Sequence, residues 1–270
     1  MDIQKNHFFS DIINKLNIEI LDSGYVYGDT AWNGKNICSP FSRLYYIESG
    51  HGILKYASTK IVMNPGHVYL VPTGLNFSYS CEDSFTKLFF HVNITRPDGY
   101  DIFADCGSCI ASPISLYEIQ RLKDLYSSNS LLGVLKIKQE LLSRVTSMVP
   151  PAAVSAVFAA VYSPMVQKTI DYIQLNLSIQ LKSSALADML FISESTLCKH
   201  FKAEVGVTIG KYIDDLIFFN AEKLLLKSNW SINQISETLG FCDQFYFSRR
   251  FKQKYNQTPL QYRKKLSSVL

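Results

Sequence analysis

The stretch Ile232–Arg263, INQISETLGFCDQFYFSRRFKQKYNQTPLQYR, decides how the whole chain is read. Ile232, Ile235 and Leu239 fall at i, i+3 and i+7, the spacing of a helix with one apolar face. Gly240 follows at a turn, where a positive φ costs glycine little. Asp243 can cap a second helix by accepting from an orphan N–H of its first turn. That helix is expected to bury Tyr246 or Phe247 and then Phe251. Thr258-Pro259 opens a last short segment. A short helix, a tight turn, and a second helix that is apolar inside and basic outside make a helix-turn-helix. Its second helix suits a major groove about 12 Å wide.

The same plan occurs fifty residues earlier. Phe201-Lys202 recurs as Phe251-Lys252, Ser193 pairs with Asp243, and Leu197 with Phe247. Thr208 pairs with Thr258 and Tyr212 with Tyr262. In this first unit Ser184–Leu190 reads as a short helix with Leu186, Ala187 and Leu190 on one face. Ser193 is the expected N-cap of the next helix, Glu194–Val205, which buries Leu197, Phe201 and Val205 and ends at Gly206. A long helix, Tyr212–Asn229, joins the units. One such match fits an ordinary helical bundle; two matching copies argue for a tandem device.

Charge follows this division. The chain has 270 residues and a formal net charge of +4. Residues 1–150 carry 13 Lys+Arg against 14 Asp+Glu, whereas residues 151–270 carry 14 against 9. After Gly240, Arg249, Arg250, Lys252, Lys254, Arg263, Lys264 and Lys265 face only Asp243. Such a surface attracts polyanions. With 47% hydrophobic and 19% charged residues the chain is neither disordered nor collagenous. Its first residues lack the basic and apolar regions of a secretory signal. The longest low-polarity run, Ala152–Tyr162, is far short of the about 20 residues that cross a bilayer. Six cysteines are too dilute for a disulfide framework, and a cytoplasmic setting is expected.

With these residues in place, Ile232–Arg263 resembles the signature of AraC/XylS-type transcription regulators. The matching elements are Gly240-Phe241, Asp243, Tyr246-Phe247-Ser248-Arg249, Phe251-Lys252, Thr258-Pro259 and Tyr262-Arg263. LADMLFISESTLCKHFK resembles the family's other helix-turn-helix. Two positions depart from the pattern. Ile217 stands where an arginine usually precedes the alanine, here Ala221, by four residues. Asn256-Gln257 replaces the glycine usual before Thr-Pro. The resemblance implies a multidomain α+β chain. It would comprise a cupin-like N-terminal β-barrel over residues 1–112, helices for dimerisation over 113–150, a linker over 151–163, and an all-α tandem helix-turn-helix domain over 164–270. It further implies a promoter-binding homodimer that contacts RNA polymerase, a ligand-responsive activator with a small-molecule effector such as a sugar.

The same resemblance points to Ser195, Cys198 and Lys199 in the first unit, and to Gln244, Phe245 and Arg249 in the second, as DNA-contacting residues. Arg249 can bond a guanine edge in bidentate fashion, Gln244 an adenine, and Phe245 a thymine methyl. Lys202, Arg250 and Lys252 suit phosphates or solvent.

The N-terminal half is expected to carry strands at Arg43–Ile47, Gly52–Tyr56, His67–Val71 and Lys87–Val92, punctuated by Gly50, Gly52, Pro65-Gly66 and Pro72-Thr73-Gly74. YYIESGHGIL and MNPGHVYLVPTGLNF resemble a small cupin-type barrel. Lys87, Phe89 and His91 alternate onto one strand face, and with Tyr45 and Tyr79 they form a candidate pocket for a polar organic ligand. His51, His67 and His91 lack an HxH or HxxxH arrangement, so no metal or cofactor is expected. Cys106-Gly-Ser-Cys109 reads as loop cysteines. Ser115–Tyr126 and Leu131–Val149 read as helices, the first with Leu116, Ile119, Leu122 and Tyr126 along one face. The second carries an apolar stripe of Leu131, Leu135, Leu142, Val145 and Val149. A metal-dependent cupin enzyme with an appended DNA-binding domain is the alternative. A repair methyltransferase with a similar helical unit ranks lower, because no Pro-Cys-His-Arg nucleophile motif occurs.

Overall fold

The structure, a computed structural model, describes residues 17–149, 162–227 and 229–267. The chain divides into two compact units near residue 160. The expected linker 151–163 and the run Ala152–Tyr162 lie outside the described residues, save residues 162 and 163.

The first unit is a seven-stranded antiparallel sheet followed by two helices. Its strands are β1 (Asn17–Gly28), β2 (Asn33–Ile37), β3 (Ser42–Tyr56), β4 (Thr59–Met63), β5 (His67–Val71), β6 (Phe77–Thr95) and β7 (Ile110–Pro113). The long strands β3 and β6 form the spine, running from Ser42 opposite Val92 to Lys55 opposite Ser78. The order is β1-β6-β3-β5-β7, with β2 also on β6 and β4 also on β3. The pairing path begins at β1 and ends at β7, so the sheet is open.

Two strands expected at Arg43–Ile47 and Gly52–Tyr56 are one strand, β3. It bends without losing its partner. The register with β6 shifts between Ile47 and Ser49 and again between Gly50 and Gly52. Gly50 has φ +66°, and a Cβ there would lie 2.0 Å from the Ser84 carbonyl oxygen. Only glycine fits such a close backbone approach.

Alternation gives the sheet two different faces. Leu44, Tyr46, Val68, Leu70, Leu88, Phe90, Val92 and Ile94 face the helices α1 (Leu116–Ser127) and α2 (Leu131–Met148). Ile119, Leu122, Ile137, Leu141, Val145 and Met148 complete this core. Each such side chain contributes about 1.5–3 kcal/mol when fully buried. Ser115 caps α1 in a capping box with Glu118, and Lys123 pairs with Glu48 of β3 at 2.6 Å.

The stripe read along the second helix is divided between two faces in the structure. Val145 is buried, but Leu131, Leu135 and Leu142 face outward, Leu131 being 78% exposed. Both faces of α2 are rich in aliphatic residues. Ile137, Leu141 and Met148 win the sheet because they share one helical face with Val145. On α1, Ile119 and Leu122 are buried, while Leu116 and Tyr126 are not.

The second unit is all helical: α3 (Pro164–Leu175), α4 (Ser183–Met189), α5 (Glu194–Val205), α6 (Ile209–Lys227), α7 (Ile232–Thr238), α8 (Gln244–Tyr255) and α9 (Pro259–Ser267). Among the described residues no helix is long and apolar enough to cross a membrane. The repeat read from the sequence is carried down to atoms. Ser193 and Asp243 cap α5 and α8 by accepting from Thr196 N and Tyr246 N. Thr208 and Thr258 accept from Lys211 N at 3.2 Å and Gln261 N at 3.3 Å. Tyr212 packs on Phe201 and Tyr262 on Phe251, each with ring centroids 5.3 Å apart.

Phe247 and Phe251 are fully buried and Tyr246 is not, which settles the alternative left open for α8. Asn256 ends α8 at φ +56°, the left-handed conformation that glycine or asparagine accepts most readily. Ile217 is fully buried in α6. The turn between α3 and α4 grips the second helix-turn-helix directly. Ile179 N donates to Leu239 O at 3.1 Å, and Gln180 Nε2 to Gly240 O at 3.0 Å. Gly240 has φ +78°, and a Cβ on it would lie 2.1 Å from Ser178 Oγ.

Candidate functional site

Two sets of residues carry chemistry, one in each unit. In the helical unit, α5 begins at the Ser193 cap, so Ser195, Cys198, Lys199 and Lys202 fall at i, i+3, i+4 and i+7 along one face. Ser195, Lys199 and Lys202 are exposed, and Cys198 is half-buried. The Ser195 hydroxyl lies 3.1 Å from Ser193 Oγ. In α8 the Asp243 cap sets the phase. Phe245, Arg249 and Lys252 lie exposed along one face, with Gln244 half-buried at its start. Phe245 is 69% exposed. The backbone N–H of Tyr246 holds the Asp243 carboxyl below its ordinary value. It is therefore ionised at neutral pH, as a helix N-terminus favours.

Arg250 is turned away from this face. Its guanidinium pairs with Asp214 of α6 and donates to Tyr246 Oη at 3.2 Å. Lys254 bridges Asp214 at 3.2 Å and Asp215 at 2.9 Å. Arg263 donates to the carbonyls of Leu225 at 3.0 Å and Trp230 at 2.8 Å. Three cations of the basic run thus bind the bridging helix and its end to the second unit. Arg249, Lys252 and Lys264 remain exposed. Behind them Glu222 of α6 is buried and accepts from Tyr262 Oη. Burial pushes its carboxyl up to about 7, against the opposing bonds from Tyr262 and Tyr255.

In the sheet unit the face of β3 and β6 turned away from the helices carries Tyr45, Tyr79, Lys87, Phe89 and His91. All five are buried. The register places Tyr45 opposite Phe89, and Arg43 opposite His91. Arg43 is therefore a member of this set that the sequence reading missed. It is 2% exposed. Its Nη2 donates to Ser39 Oγ at 2.8 Å, and its Nη1 lies 3.3 Å from Tyr45 Oη and 3.1 Å from His91 Nε2. Among the described residues its Nε has no partner.

Lys87 Nζ sits 3.7 Å from the centroid of the Tyr45 ring and 4.5 Å from that of Trp32. Phe85 and Phe89 close the cage. Burial, then Arg43, holds the Lys87 amine well below its ordinary value. His91, stacked between Phe41 and Phe89, is held low by burial and by both cations. Asp22 of β1 lies 3.5 Å from His91 Nδ1.

The other candidates are placed as follows. His67 pairs with Ile47, four positions along β3 from the Arg43 that faces His91, so these histidines stand apart. Among the described residues no group of three or more His, Cys, Asp or Glu could hold a metal ion. Cys106 and Cys109 lie in a loop before β7 and are not bonded to each other. Burial pushes the Cys109 thiol up to about 12, which leaves it protonated and unreactive.

Comparison with known proteins meets this geometry. A family model described as a helix-turn-helix domain matches residues 186–265. The xylose operon regulatory protein of Escherichia coli K12 is 35% identical over 150 residues, which are 54% of this chain and 38% of that protein. The chain thus spans well under half of this relative's length. The C-terminal domain of AraT, a response regulator from Geobacillus stearothermophilus, is 30% identical over 39% of this chain and 88% of that one, with a TM-score of 0.38. ToxT from Vibrio cholerae O395 covers 95% of this chain and all of its own at 15% identity, with a TM-score of 0.50, a likeness of fold alone. The paired caps, the repeated tyrosine–phenylalanine contacts and the identity across the helical unit have one source: the chain belongs to the AraC/XylS family.

Proposed function

We propose that the chain is a sequence-specific DNA-binding transcription regulator, a ligand-responsive activator that works as a dimer in the cytoplasm. The observation that carries this is the pair of second helices, α5 and α8. Each is capped, packed on its inner face, and open on an outer face of polar, cationic and aromatic side chains. Arg249, Gln244 and Phe245 read bases from α8, and Lys252 meets a phosphate. On α5, Ser195, Cys198 and Lys199 face bases and Lys202 the backbone.

The region 1–112 is the sensing part, a cupin-like β domain. The register shifts of β3 beside Gly50, which bend the long strand, support this. Tyr45, Tyr79, Lys87, Phe89 and His91 there meet a small polar effector, a reading that the sugar-operon relative supports. Helices in 113–150 dimerise. The outward Leu131, Leu135 and Leu142 of α2 support this, since a leucine face in water is the usual mark of a partner surface. The region 151–163 links the parts, 164–270 binds promoter DNA, and RNA polymerase is the partner of activation. Effector acts through unequal affinity for two arrangements of the dimer.

The test is DNA selection with the full chain, followed by titration of the enriched fragments. Specific fragments should bind at least about a thousandfold tighter than random DNA. The log–log salt slope should be about −0.9 per phosphate contact. Equal affinity for selected and random DNA refutes sequence-specific regulation.

A further inference from the structure

The inner face of the sheet holds more positive charge than its own acids can meet. Arg43 is 2% exposed and Lys87 4% exposed. Both touch the same ring, Arg43 at the hydroxyl of Tyr45 and Lys87 over its face. The acceptors around Arg43 are neutral: Ser39, Tyr45 and His91. Its Nε donor is left over. Four aromatic rings surround Lys87 Nζ, which makes no hydrogen bond among the described residues. Asp22 is directed at His91 and is itself partly desolvated, its carboxyl raised by burial. An aromatic cage attracts a buried cation only modestly. Burying an ion without a counter-charge costs more than such a cage returns. A fold that keeps two such cations side by side, with an unused guanidinium donor, is short of one anion.

We infer that the ligand of this face is a small organic carboxylate, held by Arg43 and Lys87 against the rings of Tyr45, Phe89 and Trp32. This rests on the reading that the face holds an effector, and narrows it from polar to anionic. The carboxylate is favoured over a phosphate ester because a planar two-oxygen group suits one guanidinium edge and one ammonium.

The experiment is calorimetric titration and thermal shift of the full chain with a panel of four- to ten-carbon monocarboxylates. Each acid is paired with its primary amide, beside inorganic phosphate and neutral sugars. The expected result is that at least one acid binds and raises Tm while its amide does not. Lys87→Met should weaken binding at least tenfold, with an unliganded Tm equal to or above that of the parent. Arg43→Gln should weaken binding similarly; should it fail to fold, Lys87→Met decides alone. Binding of sugars but not acids overturns the anion and leaves the effector reading standing, and binding of phosphate in place of every carboxylate overturns the choice of anion. Acids and amides binding alike, or full affinity in Lys87→Met, also overturn the inference. No response to any member of the panel overturns both readings.

Discussion

Replacing Glu222 by Gln should make the helical unit more stable at alkaline pH and leave it unchanged in mild acid. Glu222 is buried in α6, where its carboxyl accepts from Tyr262 and is pushed up to about 7 from an ordinary 4.5. A carboxyl whose folded value is raised contributes most below the unfolded value, and that contribution is lost as pH rises through the folded one. The window here runs from about 4.5 to about 7. The gap corresponds to about 3 kcal/mol of stability lost across it. Glutamine keeps the acceptor oxygen for Tyr262 and has no charge to desolvate, so the difference between the variants should grow from near zero at pH 4.5 to about 2–4 kcal/mol at pH 8.5. The assay is urea denaturation of the full chain in a Trp32→Phe background, where Trp230 of the helical unit is the remaining tryptophan. Comparing variants at each pH cancels Asp215 and Asp243, whose lowered carboxyls act in the opposite direction at lower pH. A difference that is flat with pH would refute the reasoning, because Glu222 would then be carrying its charge inside the fold.

Other outcomes are expected. Arg249→Ala should cost about 1–3 kcal/mol at one base pair of a selected site, whereas Lys252→Ala should weaken all sequences alike and flatten the salt slope by about 1; anisotropy titrations on singly substituted sites separate them. Arg250→Ala should leave base preference intact and destabilise the helical unit by about 1–2 kcal/mol, since it breaks the pair with Asp214. Gly50→Ala should destabilise the sheet unit by about 2 kcal/mol or more, read by denaturation, because the added methyl meets the Ser84 carbonyl at a positive φ. Leu135→Glu should give monomers by sedimentation equilibrium with an unchanged circular dichroism spectrum, as the side chain lies outside the core.

What was legible in the sequence was what local chemistry determines. The helix Glu194–Val205 and both caps, Ser193 and Asp243, stand where the pattern puts them, because cap, periodicity and terminating glycine all lie within a dozen residues. The sheet was read less well. Strand β1 is half-buried almost throughout and shows no alternation, and β2, β4 and β7 are five residues or fewer. Arg43 could not be recognised locally. An arginine between Ser42 and Leu44 reads as a solvent-facing charge, and only its place opposite His91 across β3 and β6 reveals the interior. That register, followed from Lys87, Phe89 and His91 to the facing strand, was the signal available. The outer leucines of α2 misled for a related reason: when both faces of a helix are aliphatic, periodicity finds the helix but not its inside.

If α5 and α8 both read bases as proposed, the grip of the α3–α4 turn on Leu239 and Gly240 has a consequence for how targets are spelled. Because Ile179 and Gln180 bond the backbone of the second helix-turn-helix, and Ser178 occupies the space a side chain at residue 240 would need, the two reading heads are jaws of a caliper locked at one setting. A site is then two short words with a fixed gap. Letters within a word can drift, each substitution costing a bounded amount of affinity. Inserting or deleting one pair in the gap turns the second word by about a tenth of a helical turn and shifts it along the axis, which a locked caliper cannot follow. New promoters would therefore enter this protein's control by point substitution within the words, and leave it most abruptly by a change of spacing.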